Sequence, residues 1–392
     1  MKLYFNEGQA SWLREGLVLL GTTVLSLLLA MFIISDFTTL EVFAPAEKKV
    51  DFKISDIYNA VDENRAVKPL SQDVAVLNTD AFDRSGLVQL LPQVAAYEPR
   101  AIGLDYYFAI ETTEEANDSL IQAILGTPNL VCITGIEKKG EGYQRKKLSF
   151  FENDPDYAPN DIGYAYLVAK NSWDVVRMFV PRVTLNNGEI LPSMSLRVAQ
   201  IACPQKAEEL LARGNFAEII DYTSYEIDTI DATQLNNPGV GDRLRGKVVM
   251  IGGLHDNKDT YLTPLHEPKA GVMIHAYTVQ TILSGRYIRT SAAWLDWLIA
   301  IVLCITFLSL LLTAKKRMSY IGNLLIRISQ FAIMYGLVWL GCYIYAGWHI
   351  YMNFTPAILM LGFGAVAFDI SFALYGIIRN SIHTIQKLIH KR

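Results

Sequence analysis

The segment GKVVMIGGLHDNKDT, residues 246–260, passes directly from an apolar run to a polar loop that begins with two glycines. The apolar run, Val248–Ile251, is short and lies between turn residues, a pattern that predicts a strand covered on both faces. In open α/β sheets, ligands gather beyond the carboxyl ends of the strands. The loop after this strand therefore supplies the first candidate ligand-binding residues, which are Gly252, Gly253, His255 and Asp259.

Strand and helix patterns alternate along the chain before and after this segment. Further strands are predicted at DVAVLN (73–78), RAIGLDYYF (100–108) and NLVCITGI (129–136). Helices are predicted at SGLVQLLPQVAAYEP (85–99), TEEANDSLIQAILG (113–126), PSMSLRVAQIA (192–202) and GVMIHAYTVQTILSG (271–285). Strands separated by helices favour an α/β domain with a mainly parallel sheet and helices on its faces. The charged and aromatic segment 140–182 favours a hairpin instead.

Two other predicted strands end in polar residues. Asn78 ends the strand at 73–78 and Asp80 follows it, and Asp105 lies near the end of the strand at 100–108. Because the carboxyl ends of parallel strands meet at one edge of a sheet, we expect these side chains to join the loop after residue 251 in one ligand site.

A metal site is one alternative for this cluster, since His255, Asp256, Asp259, His266 and His275 are all suitable ligand types. Their spacing fits no zinc signature, and an HExxH motif is broken by Pro268. The commoner role for a histidine on a helix face, such as His275, is a buried hydrogen bond. No cofactor is indicated.

Two further alternatives concern catalysis and anion binding. Ser193 and Ser195 could belong to a hydrolase, but no G-x-S-x-G motif surrounds them, and we expect no enzyme. Backbone N–H groups at the glycine pair Gly252–Gly253 could hold a phosphate or carboxylate. The competing interpretation is a tight turn after a buried strand.

The composition predicts a membrane protein with a large water-soluble part. Of 392 residues, 51% are apolar and 19% are charged, and the mean hydropathy is +0.22. That is too hydrophobic for an ordinary soluble enzyme and too charged for a protein that lies wholly in the membrane. The net charge of -4 gives no reason to expect nucleic acid as a partner.

Four apolar runs are long enough to cross a bilayer as helices. They cover residues 16–35, 294–314, 328–347 and 354–378, and leave an outer domain at 36–293 between tails at 1–15 and 379–392. A cleaved signal peptide is the alternative for the first run. Its only A-x-A-like site, Ala44–Ala46, lies about ten residues too late, which favours a retained anchor.

The distribution of lysine and arginine predicts the orientation. Both tails and the link 315–327 carry basic residues, whereas the link 348–353 carries none. By the positive-inside rule, the tails and the basic link lie in the cytoplasm, and residues 36–293 lie outside it.

Cysteines and acids in unusual places raise two further questions. Cys132 and Cys203 could form a disulfide in an oxidising compartment or remain two buried thiols. Asp296 and Asp369 lie in apolar runs, where an acid can mark an ion path. For Asp369 we favour a structural hydrogen bond to Ser371 or to a tyrosine of a neighbouring helix.

The order of several motifs resembles the extracytoplasmic CHASE2 sensor domain of bacterial receptors. The motifs are EPRAIGLDYYF (98–108), DVVRMFVPRV (174–183), LPSMSLRVAQ (191–200), LRGKVVMIGG (244–253) and KDTYLTPLHEPKAGVMIHAYTVQTILSGRYI (258–288). The resemblance covers about residues 51–287 together with the three membrane spans that follow, and implies a sensor in a bacterial inner membrane. It places Asp174 and Arg177 in a family turn, which adds Arg177 to the candidate ligand-binding residues. His275 is a further candidate, although its match to the family motif favours a structural role.

Receptors of that family usually carry a cytoplasmic output domain and are often dimers. Here only RNSIHTIQKLIHKR follows the last predicted span. The expected function is therefore a sensor that contacts lipid, binds an unknown small ligand or envelope protein, and signals through a separate cytoplasmic partner, with a homodimer among the expected partners. The alternatives are an assembly subunit of an envelope complex, or an envelope enzyme using Asp105, Asp259 and His255. Arg177 is expected to pair with Asp259 or Asp105, or to contact the ligand.

Overall fold

The computed structural model describes residues 7–36, 54–64, 67–108, 113–140, 142–153, 161–167, 175–256, 259–317 and 320–389. The chain divides into two compact units. The α/β unit is Val50–Ile288, and the helical unit combines Met1–Lys49 with Arg289–Arg392.

The described residues form ten α-helices and fifteen strands. The helices are α1 (Glu7–Asp36), α2 (Ile54–Glu63), α3 (Arg84–Ala96), α4 (Glu114–Leu125), α5 (Met194–Ala202), α6 (Pro204–Ala212), α7 (Gly271–Ser284), α8 (Ala293–Arg317), α9 (Tyr320–Trp348) and α10 (Thr355–Ile389). The first eight strands are β1 (Leu70–Asn78), β2 (Ala101–Leu104), β3 (Leu130–Lys139), β4 (Gly142–Lys146), β5 (Ile162–Tyr164), β6 (Met178–Phe179), β7 (Arg182–Thr184) and β8 (Ile190–Pro192). The others are β9 (Glu218–Ile219), β10 (Glu226–Asp231), β11 (Val248–Gly252), β12 (Thr260–Leu262), β13 (Pro268–Ala270), β14 (Arg289–Thr290) and β15 (Ile350–Tyr351).

A seven-stranded sheet forms the centre of the α/β unit. Its order is β10-β1-β11-β2-β3-β4, with β5 beside β3. Every pairing is parallel except β3 with β4, which form an antiparallel hairpin. The prediction of a mainly parallel sheet is confirmed, and the strand that opened the sequence analysis, β11, lies in its middle.

Alternation along the strands gives the sheet two buried faces. Val248 and Met250 of β11 belong to a core formed with α5, α6 and α7. Their neighbours Val249 and Ile251 point to the opposite face and pack with α3 and α4. Since side chains alternate with a period of two, a continuous apolar strand supplies both cores at once.

Local signals set the ends of the helices that cover the sheet. The Ser193 hydroxyl accepts a hydrogen bond from the Leu196 N–H at the start of α5, at 3.2 Å. The helix α7 ends before Gly285, whose φ of 66° lies in the left-handed region.

Within the described part of the helical unit, three helices are long and apolar enough to cross a membrane. Their apolar segments are Glu15–Ile33, Ala293–Ala314 and Leu324–Trp348. Among the described residues, the apolar part of α10, Thr355–Ser371, is shorter, so the fourth span at 354–378 remains a prediction. A buried cluster that includes Val18, Phe307 and Leu361 joins the helices.

The two acids in apolar runs both have side-chain partners. Asp296 accepts a hydrogen bond from the Ser291 hydroxyl at 2.5 Å. Asp369 was expected to bond to Ser371 or a tyrosine, but its carboxylate pairs with the Arg327 guanidinium of α9 at 2.9 Å. Because α9 begins at Tyr320, Arg327 belongs to this helix and not to the predicted link 315–327.

Candidate ligand site

The carboxyl ends of β1, β11 and β2 meet at one edge of the sheet. Asn78 pairs with Gly252 in register, and the N–H of Asp105 donates to the Ile251 carbonyl at 2.9 Å. The structure therefore brings together the predicted residues from three separate strands, as expected for a parallel sheet.

Asp80 organises the turn after β11. Its Oδ1 accepts from the N–H groups of Leu254 at 2.9 Å and His255 at 3.2 Å, and its Oδ2 contacts His255 Nδ1 at 2.5 Å. Partial burial alone would raise the pKa of Asp80, but the hydrogen bonds from His255, Asn78 and Leu254 outweigh it and lower that pKa. His255 itself extends into solvent, with 81% of its side chain exposed.

The turn bears on the question of an anion at the glycine pair. The N–H groups of Leu254 and His255, directly after the pair, bind the Asp80 carboxylate of the chain itself, as in a tight turn. A Cβ on Gly253 would lie 2.9 Å from Asp80 Oδ1, and one on Gly252 would lie 2.9 Å from the Val272 Cβ. Both glycines therefore serve close packing.

Asp105 and Asp259 form a coupled pair of carboxyl groups beside this turn. Desolvation raises the pKa of Asp105 to about 7. Desolvation and the charge of Asp105 raise the pKa of Asp259 to about 6, although His275 and a hydrogen bond from Tyr261 act in the other direction. Among the described residues, the Asp105 carboxylate accepts no hydrogen bond, so burial acts on it without compensation.

Two tyrosines that the sequence analysis did not single out complete this group. Tyr107 is 45% exposed and interacts electrostatically with both carboxylates. Burial, together with Asp259, raises the pKa of the Tyr261 hydroxyl to about 12, so this hydroxyl stays protonated as a donor. A sequence signal exists for both, because each lies two residues after its aspartate, in DYY at 105–107 and in DTY at 259–261.

His275 of α7 interacts electrostatically with Asp259. Its side chain is buried, and Nδ1 lies 3.2 Å from the Ser195 hydroxyl. Burial lowers the pKa of His275 to about 4, and the charge of Asp259 offsets this only in part, so the imidazole is neutral at pH 7. Ser195 is only 1% exposed, and Ser193 caps α5.

Arg177 lies in a different contact from the one expected. Its Nε and Nη2 donate to the two carboxylate oxygens of Asp56 at 2.8 and 2.7 Å, and the Asp56 side chain is fully buried. The expected partners were Asp259 or Asp105, neither of which lies on α2. The pairing with α2 could not be read from the sequence, because the two residues are 121 positions apart. Asp174, the other residue of the family turn, lies outside the described residues.

The candidate metal ligands have separate partners. His255 contacts Asp80, His275 contacts Ser195, and His266 Nε2 lies 3.8 Å from Asp56 Oδ2. Within the described part of the chain, no three histidine, cysteine or acidic residues come together as a metal site. Cys132 and Cys203 are free thiols, which removes the disulfide alternative.

The region of the chain that matches a known protein family includes the whole sheet and the site at its edge. The family profile described as the CHASE2 domain matches residues 60–314, which is more than half of the chain. The chain belongs to the CHASE2 domain family. The match confirms the resemblance carried by the motifs between residues 98 and 288 and extends into α8, the first helix after the α/β unit. Searches among curated proteins and solved structures found no match.

Proposed function

We propose that this protein is a sensor anchored in a bacterial inner membrane, with its CHASE2 domain in the periplasm. In this proposal the domain binds a small ligand at the edge formed by β1, β11 and β2. It then signals through a separate cytoplasmic protein. The proposal also includes that two copies of the chain form a homodimer. Membership of a sensor-domain family and helices able to cross a membrane support this role.

The main support for the proposed binding site is the environment of the Asp105 carboxylate. It is desolvated, it accepts no hydrogen bond from the residues that the structure describes, and it interacts with a second carboxyl group on Asp259. Such a pair is unfavourable in the ligand-free protein and gains free energy from any cationic or hydrogen-bond-donating group placed between its members. The rings of Tyr107 and Tyr261 beside the pair suit a cationic group for the same electrostatic reason.

A route for the signal begins at the loop that carries Asp259. The Asp259 carbonyl accepts from the Gly271 N–H at 2.9 Å, at the first residue of α7. The last residue of α7, Ser284, lies five positions before Arg289, where the helical unit begins. A ligand that binds one arrangement of this loop more tightly than another would shift the position of α7, which is the physical requirement for a sensor.

Capture of the tagged full-length protein in mild detergent, followed by mass spectrometry, tests the function. We expect a cytoplasmic kinase, cyclase or transcriptional regulator in stoichiometric amounts. Asp105→Asn should change the recovery of that partner, whereas Asp118→Asn on the exposed face of α4 should not. If only envelope or outer-membrane proteins are captured, the sensor proposal fails and the assembly role replaces it.

A further inference from the structure

An ion pair lies within the apolar segments of α9 and α10. Arg327 falls in the segment Leu324–Trp348, and Asp369 falls in Thr355–Ser371. The guanidinium donates to the carboxylate at 2.9 Å, yet 41% of the Arg327 side chain and 55% of the Asp369 side chain are exposed. Charged groups that face hydrocarbon are costly, so something other than lipid tails has to cover this pair.

Exposed apolar side chains surround the ion pair. On each helix, residues three or four positions from the charged residue share its face. Leu324 and Phe331 of α9 and Val366 of α10 are 53–69% exposed. These three residues with Arg327 and Asp369 are called the charged patch below.

The two helices that carry the charged patch are fixed to each other. Gln330, one turn from Arg327, is buried and donates from Nε2 to the Leu361 carbonyl of α10 at 2.7 Å. Interhelical hydrogen bonds of this kind hold membrane helices in register. The charged patch is therefore preformed in a single chain.

Lipid headgroups are a poor cover for the Asp369 carboxylate. Arginine has a long side chain that can reach a membrane interface, but aspartate does not. The apolar sequence of α10 continues from Asp369 to Ile378, which corresponds to about 14 Å along a helix. A protein surface with matching charges is the better cover.

We propose that the charged patch is the surface through which two copies of this chain associate in the membrane. The cation lies on α9 and the anion on the neighbouring α10. A two-fold axis along the membrane normal would place Arg327 of each copy opposite Asp369 of the other. A two-fold interface requires a self-complementary surface, and this arrangement supplies one with four alternating charges. This inference rests on the membrane location and the homodimer of the proposed function, but not on its ligand or its signalling partner.

Charge variants of the full-length protein, co-expressed with two different affinity tags, test the proposal. R327D makes the patch wholly acidic, and D369R makes it wholly basic. For either variant with itself, capture of the second tag should fall about tenfold or more below wild type, because like charges would face each other. Co-expression of R327D with D369R should restore capture, since one acidic patch then faces one basic patch.

The mixed pair separates association from damage to the single chain. Both variants lack their internal ion pair, so a variant that fails to insert or fold cannot be rescued by the other. The double variant R327D/D369R keeps both the internal pair and the self-complementary pattern, and should associate as wild type does. Equal capture for all combinations, no capture of wild type, or no gain in the mixed pair would each overturn the proposal and leave headgroups or another membrane protein as the cover.

Discussion

At the scale of single residues, Asp105 has the clearest conflict between burial and charge. Its pKa is about 7 in the folded protein, against an ordinary value of 3.8. The folded state therefore holds a proton that the unfolded state has lost between these two values. The stability that this proton represents is fully present below pH 3.8 and is lost as the pH rises through 7.

Asp105→Asn should accordingly stabilise the protein at high pH. We expect the free energy of unfolding at pH 8 to rise by about 1–2 kcal/mol. This is less than the full pKa shift implies, because Asp105 is shielded from most but not all of the solvent. At pH 3.5, where the native aspartate is protonated, the change should be small. Urea unfolding of the full-length protein in detergent at both pH values measures this. A gain at pH 3.5 as large as that at pH 8 would show that the effect is not electrostatic, and Asp118→Asn is the exposed control.

The ion pair between Asp56 and Arg177 should matter far more than a comparable pair at the surface. Asp56→Asn leaves a buried guanidinium without its counter-charge, which should cost about 3–5 kcal/mol. The matched control is Asp73→Asn, which breaks the half-exposed pair with Arg100 and should cost less than about 1 kcal/mol. Unfolding curves of the two variants decide the matter, and equal losses would contradict the structural role of the buried pair.

At the scale of elements, helix starts offer a matched comparison. Ser193 caps α5 through its hydroxyl, whereas Thr113 precedes α4 without a side-chain hydrogen bond. Ser193→Ala should cost about 1 kcal/mol because a helical N–H loses its acceptor. Thr113→Ala should change the free energy of unfolding much less. If both substitutions cost the same in thermal or urea unfolding, the cap does not stabilise α5 as the structure indicates.

The loop and hairpin from Asp259 to Ala270 link the candidate site to the rest of the α/β unit. Asp259 and Tyr261 face the site, and the Leu262 carbonyl accepts from the Val176 N–H at 2.9 Å, next to Arg177. His266, at the hairpin turn, lies near Asp56 of α2. The segment that carries Asp259 therefore contacts α7 through Gly271 and lies near α2 through His266.

At the scale of the whole molecule, the distribution of basic residues predicts which side of the membrane each segment occupies. Lys139→Cys at the exposed end of β3 should react with an impermeant maleimide in intact spheroplasts. Lys387→Cys in the basic tail should react only after permeabilisation. The parent protein gives the background, since Cys203 is half-buried. The reverse pattern of labelling would show the opposite orientation and would contradict the proposed periplasmic location of the domain.

The sequence by itself determined the class of the fold and the edge of the sheet where the site lies. Continuous apolar strands such as Val248–Ile251, separated by amphipathic helices, require a parallel sheet covered on both faces, and parallel strands bring their carboxyl ends together. Only the tertiary structure decided what the polar residues at that edge do. Asp80 binds the N–H groups of the turn after β11, Arg177 binds Asp56 on α2, and Asp105 is desolvated and interacts with Asp259. Local patterns fix burial and periodicity, but the partner of a charged side chain depends on which distant segments the fold brings within a few ångströms of it.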